Sequence, residues 1–303
     1  LGASGLQIGL IVVVQVIGYI ISSFITGLIT DKVKSKTRLI LLGSFGRAIA
    51  YFILYTALIF SSLIGIGFGT FSIGFFAGFF WIPFDTLIAE KSSKNNRSEA
   101  YGKRDAAVGR GAILGSLIGF PIFGFASGYT NNLFLIYLGI LIFGISNFVG
   151  GCKFYRNVDE SVKFPEQIEN EDSNNKKNIN SSSLLSTITF GLIFLAIVLL
   201  LANINGSLAR PFFNVYIINE IISDETLAMF VYAPSGFIAL FLSPRIGRYV
   251  DKLHPMIGIT VSSFLGSLVT WFLINTTDPF LFTLLLSLDL LIITVGSLTF
   301  QNF

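Results

Sequence analysis

Residues 10–36 read LIVVVQVIGYIISSFITGLITDKVKSK, an almost unbroken apolar run that leads into Asp31 and a cluster of lysines. A transmembrane helix needs about 20 mainly apolar residues, and the run has that length before its first charge. A strand of a membrane β-barrel would alternate with a period of two, which residues 10–21 do not do. The stretch therefore predicts a membrane helix that ends at a basic loop in water.

The composition of the whole chain supports the same interpretation. Of its 303 residues, 53% are hydrophobic and only 12% are charged, and the mean hydropathy is +0.76. Soluble proteins have about 25% charged residues, so we do not expect a soluble enzyme, a nucleic-acid-binding protein or a disordered chain. The single cysteine, Cys152, and the single histidine, His254, exclude an internal disulfide and leave zinc, haem and iron–sulfur sites without ligands.

Windows of about 20 residues predict nine membrane helices, and hence an all-α polytopic membrane protein. The segments are 7–29, 39–59, 61–84, 106–128, 133–153, 184–216, 226–246, 256–274 and 279–301. Of the 20 Lys and Arg residues, 17 lie in one set of alternate loops or at the segment edges that adjoin them, and Arg47, Arg110 and Arg210 lie deeper within the segments. Because short basic loops stay in the cytoplasm, we expect these loops inside the cell and residue 1 outside.

One long polar segment, 156–183, interrupts the apolar pattern and is expected to be flexible. It predicts an N-terminal half bundle of five helices over 1–153, a cytoplasmic linker over 154–183, and a C-terminal half bundle of four helices over 184–303. The start has no basic region before its apolar run and no initiator Met, so no signal peptide fits it. We therefore expect the chain to be an interior piece of a longer protein.

A short motif occurs at two helix ends. The first copy is Gly27-Leu-Ile-Thr-Asp31-Lys32, and the second is Gly247-Arg248-Tyr-Val-Asp251-Lys252. Their separation is what about six helices with loops would occupy, which indicates a parallel repeat of the two halves. Coincidence with ordinary loop chemistry, in which a Gly ends a helix, is the alternative.

These residues resemble the signature of the major facilitator superfamily of secondary transporters, Gly-x-Leu-Ala-Asp-Arg-x-Gly-Arg-Lys between its second and third helices. Lys34 stands where the family usually has its second Gly. The resemblance implies the two-bundle architecture of twelve helices, of which this chain would contain helices two to ten. It also implies that Asp31 contacts basic side chains and a helix N-terminus in the opposite half at an inner gate. The matching gate residues are Gly27, Asp31, Lys32, Lys36, Gly247, Asp251 and Lys252.

The fourth segment carries Gly111, Gly115, Gly119 and Pro121. Glycines at this spacing line one helical face and allow a close helix neighbour. The pattern is similar to a loose form of the motif in the fifth helix of the superfamily's drug/proton antiporters, which favours efflux. A general packing face is the alternative, and the arginine that those antiporters carry in helix four is absent from 62–80.

Ionisable and amide side chains at membrane depth are costly and are candidates for binding or coupling. Arg47 lies near the middle of its segment, where it could bind an anionic group or pair with an acid such as Asp289. Asp289 lies about ten residues from either end of its segment, roughly 15 Å from each interface, and is a candidate proton-coupling site. Arg210 and Asn205 lie on one long segment and are candidates for a cavity wall. A static ion pair is the alternative for Arg47 and Asp289, and interhelical hydrogen bonding is the alternative for Asn205.

The sequence therefore predicts secondary active transport of a small solute by alternating access, with protons as the favoured coupling ion and efflux as the favoured direction. Uptake of an organic anion or a sugar, and a polytopic protein that does not transport, are the alternatives. The chain has no Gly-x-x-x-x-Gly-Lys-Ser/Thr loop for ATP. We expect no enzyme activity, no cofactor or metal, no nucleic-acid partner, and a monomer in the plasma membrane.

Overall fold

The computed structural model describes residues 5–33, 35–93, 96–129, 132–160, 216–222, 231 and 233–301. Within these ranges the secondary structure is helical, as predicted, and contains no strand. The helices are α1 (Gly5–Thr30), α2 (Lys36–Ile59), α3 (Leu63–Glu90), α4 (Arg97–Tyr129), α5 (Leu133–Ile136), α6 (Leu138–Asn157), α7 (Ala233–Val250), α8 (Pro255–Ile274) and α9 (Pro279–Gln301), with a π-helical turn at Ile217–Ile221.

Seven of the described helices are long and apolar enough to cross a membrane, namely α1, α2, α3, α4, α6, α8 and α9. In lipid a helix satisfies its own backbone hydrogen bonds, which is why such apolar runs fold in this way. The predicted segment 184–216 lies outside the described residues except for Tyr216. Segment 226–246 overlaps α7, which is not among the seven candidate spans. The count of nine membrane helices stays a prediction.

Several helices extend beyond the predicted apolar segments. Helix α4 begins at Arg97 rather than near residue 106, and α3 continues to Glu90 rather than 84. These extra turns carry charged side chains, so a hydropathy window does not include them. They matter because the charged contacts described below lie on them.

By their internal contacts the residues separate into two compact units. The first is Leu1–Ser93 with Leu114–Phe164, and the second is Lys94–Ile113 with Pro165–Phe303. The predicted half bundles and linker, with boundaries at 153 and 183, stay a prediction.

In the first unit α3 packs against both α1 and α2, and α2 also packs against α6. The crossing of α1 and α3 depends on two glycines. A Cβ added at Gly18 would overlap the carbonyl oxygen of Phe71, and one added at Gly74 would overlap that of Gln15. Small residues at the contact allow the two backbones to approach closely, as is usual between membrane helices.

In the second unit α9 packs against α7 and α8. A buried apolar cluster of Ile217, Val231, Leu273 and Phe282 lies at the end of α8 and the start of α9. The hydroxyl group of Tyr216 donates to the carbonyl oxygens of Ile274 at 3.2 Å and Thr276 at 3.3 Å. This end of the unit is opposite to the one that carries the second copy of the repeated motif.

Candidate functional site

The second copy of the motif places Asp251 directly after α7, against the first turn of α4. Its carboxylate accepts hydrogen bonds from the backbone N–H groups of Ser98 at 2.9 Å and Glu99 at 3.1 Å. The first N–H groups of a helix have no partner within the helix, and the macrodipole favours an anion there. Asp251 therefore caps a helix that begins about 150 residues earlier in the chain.

Around this cap α4 and α7 approach each other closely. A Cβ added at Gly247 would lie 2.5 Å from the carbonyl oxygen of Ser98, and one added at Gly102 would lie 2.5 Å from that of Ser243. Ser98, Ala106 and Ser243 are at most 1% exposed. We call this the α4–α7 contact, formed by Ser98, Gly102 and Ala106 with Ser243, Gly247 and Asp251.

Glu99 adds an electrostatic link at the edge of the α4–α7 contact. Its Oε1 atom lies 3.1 Å from Lys103 Nζ, one turn along α4, and 3.1 Å from an Arg248 guanidinium nitrogen on α7. The hydrogen bond to Glu99 raises the pKa of Arg248 above its ordinary value. Because the side chain of Arg248 is 65% exposed, the pair contributes little to stability beyond orienting the two side chains.

The first copy of the motif has different surroundings. Asp31 is exposed at the end of α1 and has no hydrogen-bond or ion-pair partner among the described residues. A Cβ added at Gly27 would meet nothing within 4 Å. Lys32 is exposed, whereas Lys36 forms an ion pair of 2.6 Å with Glu90 at the end of α3. The contact that the resemblance implies for Asp31 therefore stays a prediction.

The start of α2, five residues after Asp31, is capped by Glu160, which follows α6. The Glu160 carboxylate accepts from the N–H groups of Lys36 at 2.9 Å and Thr37 at 2.8 Å. It also accepts from the hydroxyl groups of Ser35, at 2.9 Å, and Thr37. Partial burial acts to raise the pKa of Glu160, but these hydrogen bonds stabilise the charged form and the net effect lowers it. Each unit thus has a helix N-terminus capped by a carboxylate from another helix end.

Arg47 lies on α2 with its guanidinium carbon 5.7 Å from the centre of the Phe80 ring, within the range of a cation–π interaction. Its Nε atom is buried and has no hydrogen-bond partner among the described residues. The backbones cross closely here, because a Cβ at Gly43 would lie 2.6 Å from the amide nitrogen of Phe80. Arg47 is therefore held beside an aromatic helix with unused hydrogen-bonding capacity.

Asp289 lies half-buried on α9, where it accepts a long hydrogen bond of 3.4 Å from the hydroxyl group of Thr270 on α8. Arg47 and Asp289 belong to different units, so their predicted pairing stays a prediction. Asn205 and Arg210 lie outside the described residues.

The predicted glycine face of α4 has few neighbours among the described residues. A Cβ at Gly111 or Gly119 would meet nothing within 4 Å, and one at Gly115 would lie 3.9 Å from the Phe143 ring. Its packing role, like that of Pro121, stays a prediction. Among the side chains that the structure describes, no group of three His, Cys, Asp or Glu residues could hold a metal ion.

Sequence reasoning missed three acidic residues, Glu90, Glu99 and Glu160. Each lies at or beside a helix end, in a part of the sequence that the apolar segments leave as a basic loop. An acid within a basic loop is the signal that could have identified them, because its partners are the nearby cations and the nearby helix N-termini.

No curated protein matches the sequence. The family model described as Major Facilitator Superfamily matches residues 1–302, almost the whole chain. The chain therefore belongs to the major facilitator superfamily and is a multi-pass membrane transporter.

Proposed function

We propose that the protein moves a small solute by secondary active transport with alternating access, and that the α4–α7 contact belongs to the gate on the cytoplasmic side. The observation that carries the proposal is the Asp251 cap on α4, because it is a charged contact between two helix ends, with Asp251 half-buried and Ser98 buried. Its two hydrogen bonds can break and form again at modest cost, since water can solvate both partners.

The small residues around the cap support the same role. Ser98, Gly102 and Gly247 present no long side chains that would interlock α4 with α7. The two helices can therefore separate and come together again without a change of side-chain rotamer. The Glu99–Arg248 ion pair, largely in water, adds orientation and little energy.

A transport assay on the full chain in proteoliposomes tests the function. A panel of apolar cations, organic anions and sugars should be screened with and without an imposed pH gradient. We expect one class to accumulate against its gradient, with Gly247→Ala and Asp251→Asn greatly reducing the rate. A panel that shows only gradient-independent leak, equal in vesicles without protein, would contradict the proposal.

For coupling, we propose that Asp289 loads and releases the driving proton. Its support is a half-buried carboxyl group midway along an apolar helix, hydrogen-bonded at 3.4 Å to the hydroxyl group of Thr270, because ionisable groups at membrane depth are candidates for proton relays. Asp289→Asn should abolish pH-driven accumulation while solute exchange continues. Ser287→Ala, a buried polar position on the same helix, is the matched control and should retain both. Unchanged accumulation in Asp289→Asn would remove Asp289 from the mechanism.

A second candidate, uptake of an organic anion, is favoured by Arg47. Its buried Nε atom without a partner among the described residues and its position over Phe80 suit a carboxylate attached to an aromatic or apolar body. Arg47→Lys keeps the charge but loses the planar fork, and should raise the KM for an organic anion more than it lowers kcat. An unchanged KM would favour the static packing role.

We also propose that the protein lies in the plasma membrane and is a monomer.

A further inference from the structure

The end of α7 has two faces with different chemistry. One face carries Ser243, Gly247 and Asp251 and packs against α4. The other carries a basic stripe, which we define as Arg245, Arg248, Tyr249 and Lys252. Arg245, Arg248 and Tyr249 follow the spacing i, i+3, i+4, which places them on one side of α7, and Lys252 lies in the turn that follows Val250. All four are exposed, with Tyr249 at 71% and the side chain of Arg248 at 65%.

The basic stripe lies at the level where membrane helices of the same unit end. The Ser98 hydroxyl group at the start of α4 donates to the carbonyl oxygen of Leu298 near the end of α9, at 3.4 Å. A Cβ at Gly258, in the first turn of α8, would lie 2.6 Å from a methyl carbon of Thr299. The candidate membrane spans α8 and α9 therefore end beside the stripe, next to the polar first turns of α4, which puts it at the height of lipid headgroups.

Apolar side chains adjoin the stripe at the turn into α8. Leu253 is 46% exposed, Met256 60% and Ile257 58%. An exposed basic group next to exposed apolar groups and a tyrosine is the combination expected where protein meets the interface between headgroups and acyl chains.

The charge of this region is unbalanced. Lys103, Arg245, Arg248 and Lys252 are all exposed, and Glu99 is the acid that the structure shows bound to two of them. Asp251 uses both carboxylate oxygens on the N–H groups of α4. Among the described residues, Arg245 and Lys252 have no ion-pair partner, so a phosphate group would meet two cations with donors to offer at the stripe.

We propose that the basic stripe docks the headgroup of an anionic phospholipid, with the phosphate bound by Arg245, Arg248 and Lys252 and the ring of Tyr249 at the headgroup level. The phosphate competes with Glu99 for Arg248, so lipid binding loosens the electrostatic edge of the α4–α7 contact. The acyl chains lie along the apolar residues at the start of α8. The proposal goes beyond transport and does not depend on which solute is carried.

The test uses the full chain reconstituted in vesicles of equimolar phosphatidylcholine and phosphatidylglycerol, then extracted in detergent and washed. Mass spectrometry gives the ratio of the two lipids that remain bound. We expect the wild-type protein to retain an excess of phosphatidylglycerol. The double variant Arg245→Gln/Lys252→Gln should reduce that excess roughly tenfold or more, since each basic residue near the membrane surface contributes about 1 kcal/mol.

The matched control is Lys153→Gln/Arg156→Gln, which removes two exposed charges at the end of α6 and should leave the excess unchanged. If both double variants lose the phosphatidylglycerol excess equally, the effect is general electrostatics and the proposal fails.

The proposal also fails if the wild-type protein shows no excess. It fails as well if millimolar glycerol phosphate displaces the lipid, because the site would then take a soluble phosphate. Arg245→Lys/Lys252→Arg keeps both charges and should retain the excess, so a loss in this variant also overturns the proposal.

Discussion

The two copies of the Gly-x-x-x-Asp-Lys motif lie in different surroundings. Asp251 is half-buried and caps α4 through two backbone N–H groups, and Gly247 lies against the backbone of Ser98. Asp31 is exposed, has no partner among the described residues, and follows a Gly27 with open space around it. The motif supplies a carboxylate at a helix end, but a cap forms only where another helix begins beside it.

The N-terminus of α2 also shows that spatial neighbours decide which acid forms a cap. That N-terminus lies close to Asp31 in sequence, yet its capping carboxylate is Glu160, from the end of α6. Both caps satisfy orphan N–H groups with a charged acceptor, so the physical requirement is common to the two units. The capping acid is the motif residue Asp251 in the second unit, but it is Glu160 and not the motif residue Asp31 in the first.

The largest expected effect comes from adding one methyl group to each motif glycine. In Gly247→Ala the Cβ lies 2.5 Å and 2.8 Å from the carbonyl oxygen and carbon of Ser98, which are backbone atoms, so α7 must move away from α4. Overpacking of this kind costs about 1–3 kcal/mol. We expect a lower midpoint of thermal unfolding in detergent together with loss of transport.

Gly27→Ala is the matched change in the first copy. The new methyl group has no heavy atom within 4 Å to meet, and Ala is favoured over Gly inside a helix by roughly 0.5–1 kcal/mol. The unfolding midpoint should therefore stay constant or rise. Equal destabilisation of the two variants would remove the distinction between the copies.

Neutralising the motif carboxylates gives the next largest difference. Asp251→Asn keeps an acceptor but loses the charge that strengthens both hydrogen bonds to α4, and we expect it to lower the free energy of unfolding by about 1 kcal/mol. Asp31→Asn should leave that free energy unchanged. The resemblance predicts a gate contact for Asp31 that is separate from the α4–α7 contact, so Asp31→Asn should reduce transport much more than expression without exposing Ser98. Normal transport by Asp31→Asn would show that this copy is only a solvated turn.

The smallest effect concerns the Glu160 cap and its dependence on pH. Because the folded protein lowers the pKa of Glu160 from its ordinary 4.5, the cap stabilises the protein above that pH. The contribution is lost as the pH falls through the lowered pKa. Urea unfolding should show Glu160→Gln less stable than wild type at neutral pH, by less than about 1 kcal/mol for so exposed a group. The free energies of unfolding of the two proteins should become equal in acid.

Arg156→Gln provides the control for that measurement. It alters the last turn of α6 but leaves Glu160 in place, so the acid-induced loss should remain. A difference between wild type and Glu160→Gln that persists unchanged below pH 4 would indicate that the side chain contributes by packing rather than by charge.

The sequence predicted the seven described candidate spans well, because the bilayer imposes a length and an apolar composition on each of them. It placed α8 and α9 within a residue or two of their observed starts, at Pro255 and Pro279. It placed the start of α4 too late, since the first turns from Arg97 are polar and lie outside any apolar window. The family resemblance also predicted a gate role for Asp251.

The caps themselves could not be predicted in the same way. That Glu160 meets Thr37, and that Asp251 meets Ser98, depends on which helix ends are neighbours in space. A single sequence does not contain that information, because the chemistry of the two acids would fit any nearby helix N-terminus equally well. The surroundings of Arg47 were unpredictable for the same reason, since Phe80 comes from another helix.

The most direct test of the gate is the rate at which a water-soluble maleimide modifies Ser98→Cys from the cytoplasmic side, in a Cys152→Ser background. Ser98 is 0% exposed, so modification reports separation of α4 from α7. The account predicts that adding Asp251→Asn raises this rate roughly fivefold, as loss of about 1 kcal/mol from the closed state requires. Asp31→Asn should leave the rate unchanged, and exposed Asn132→Cys should react only from outside in every background. An unchanged rate in Asp251→Asn, or an equal rise in Asp31→Asn, would contradict the account.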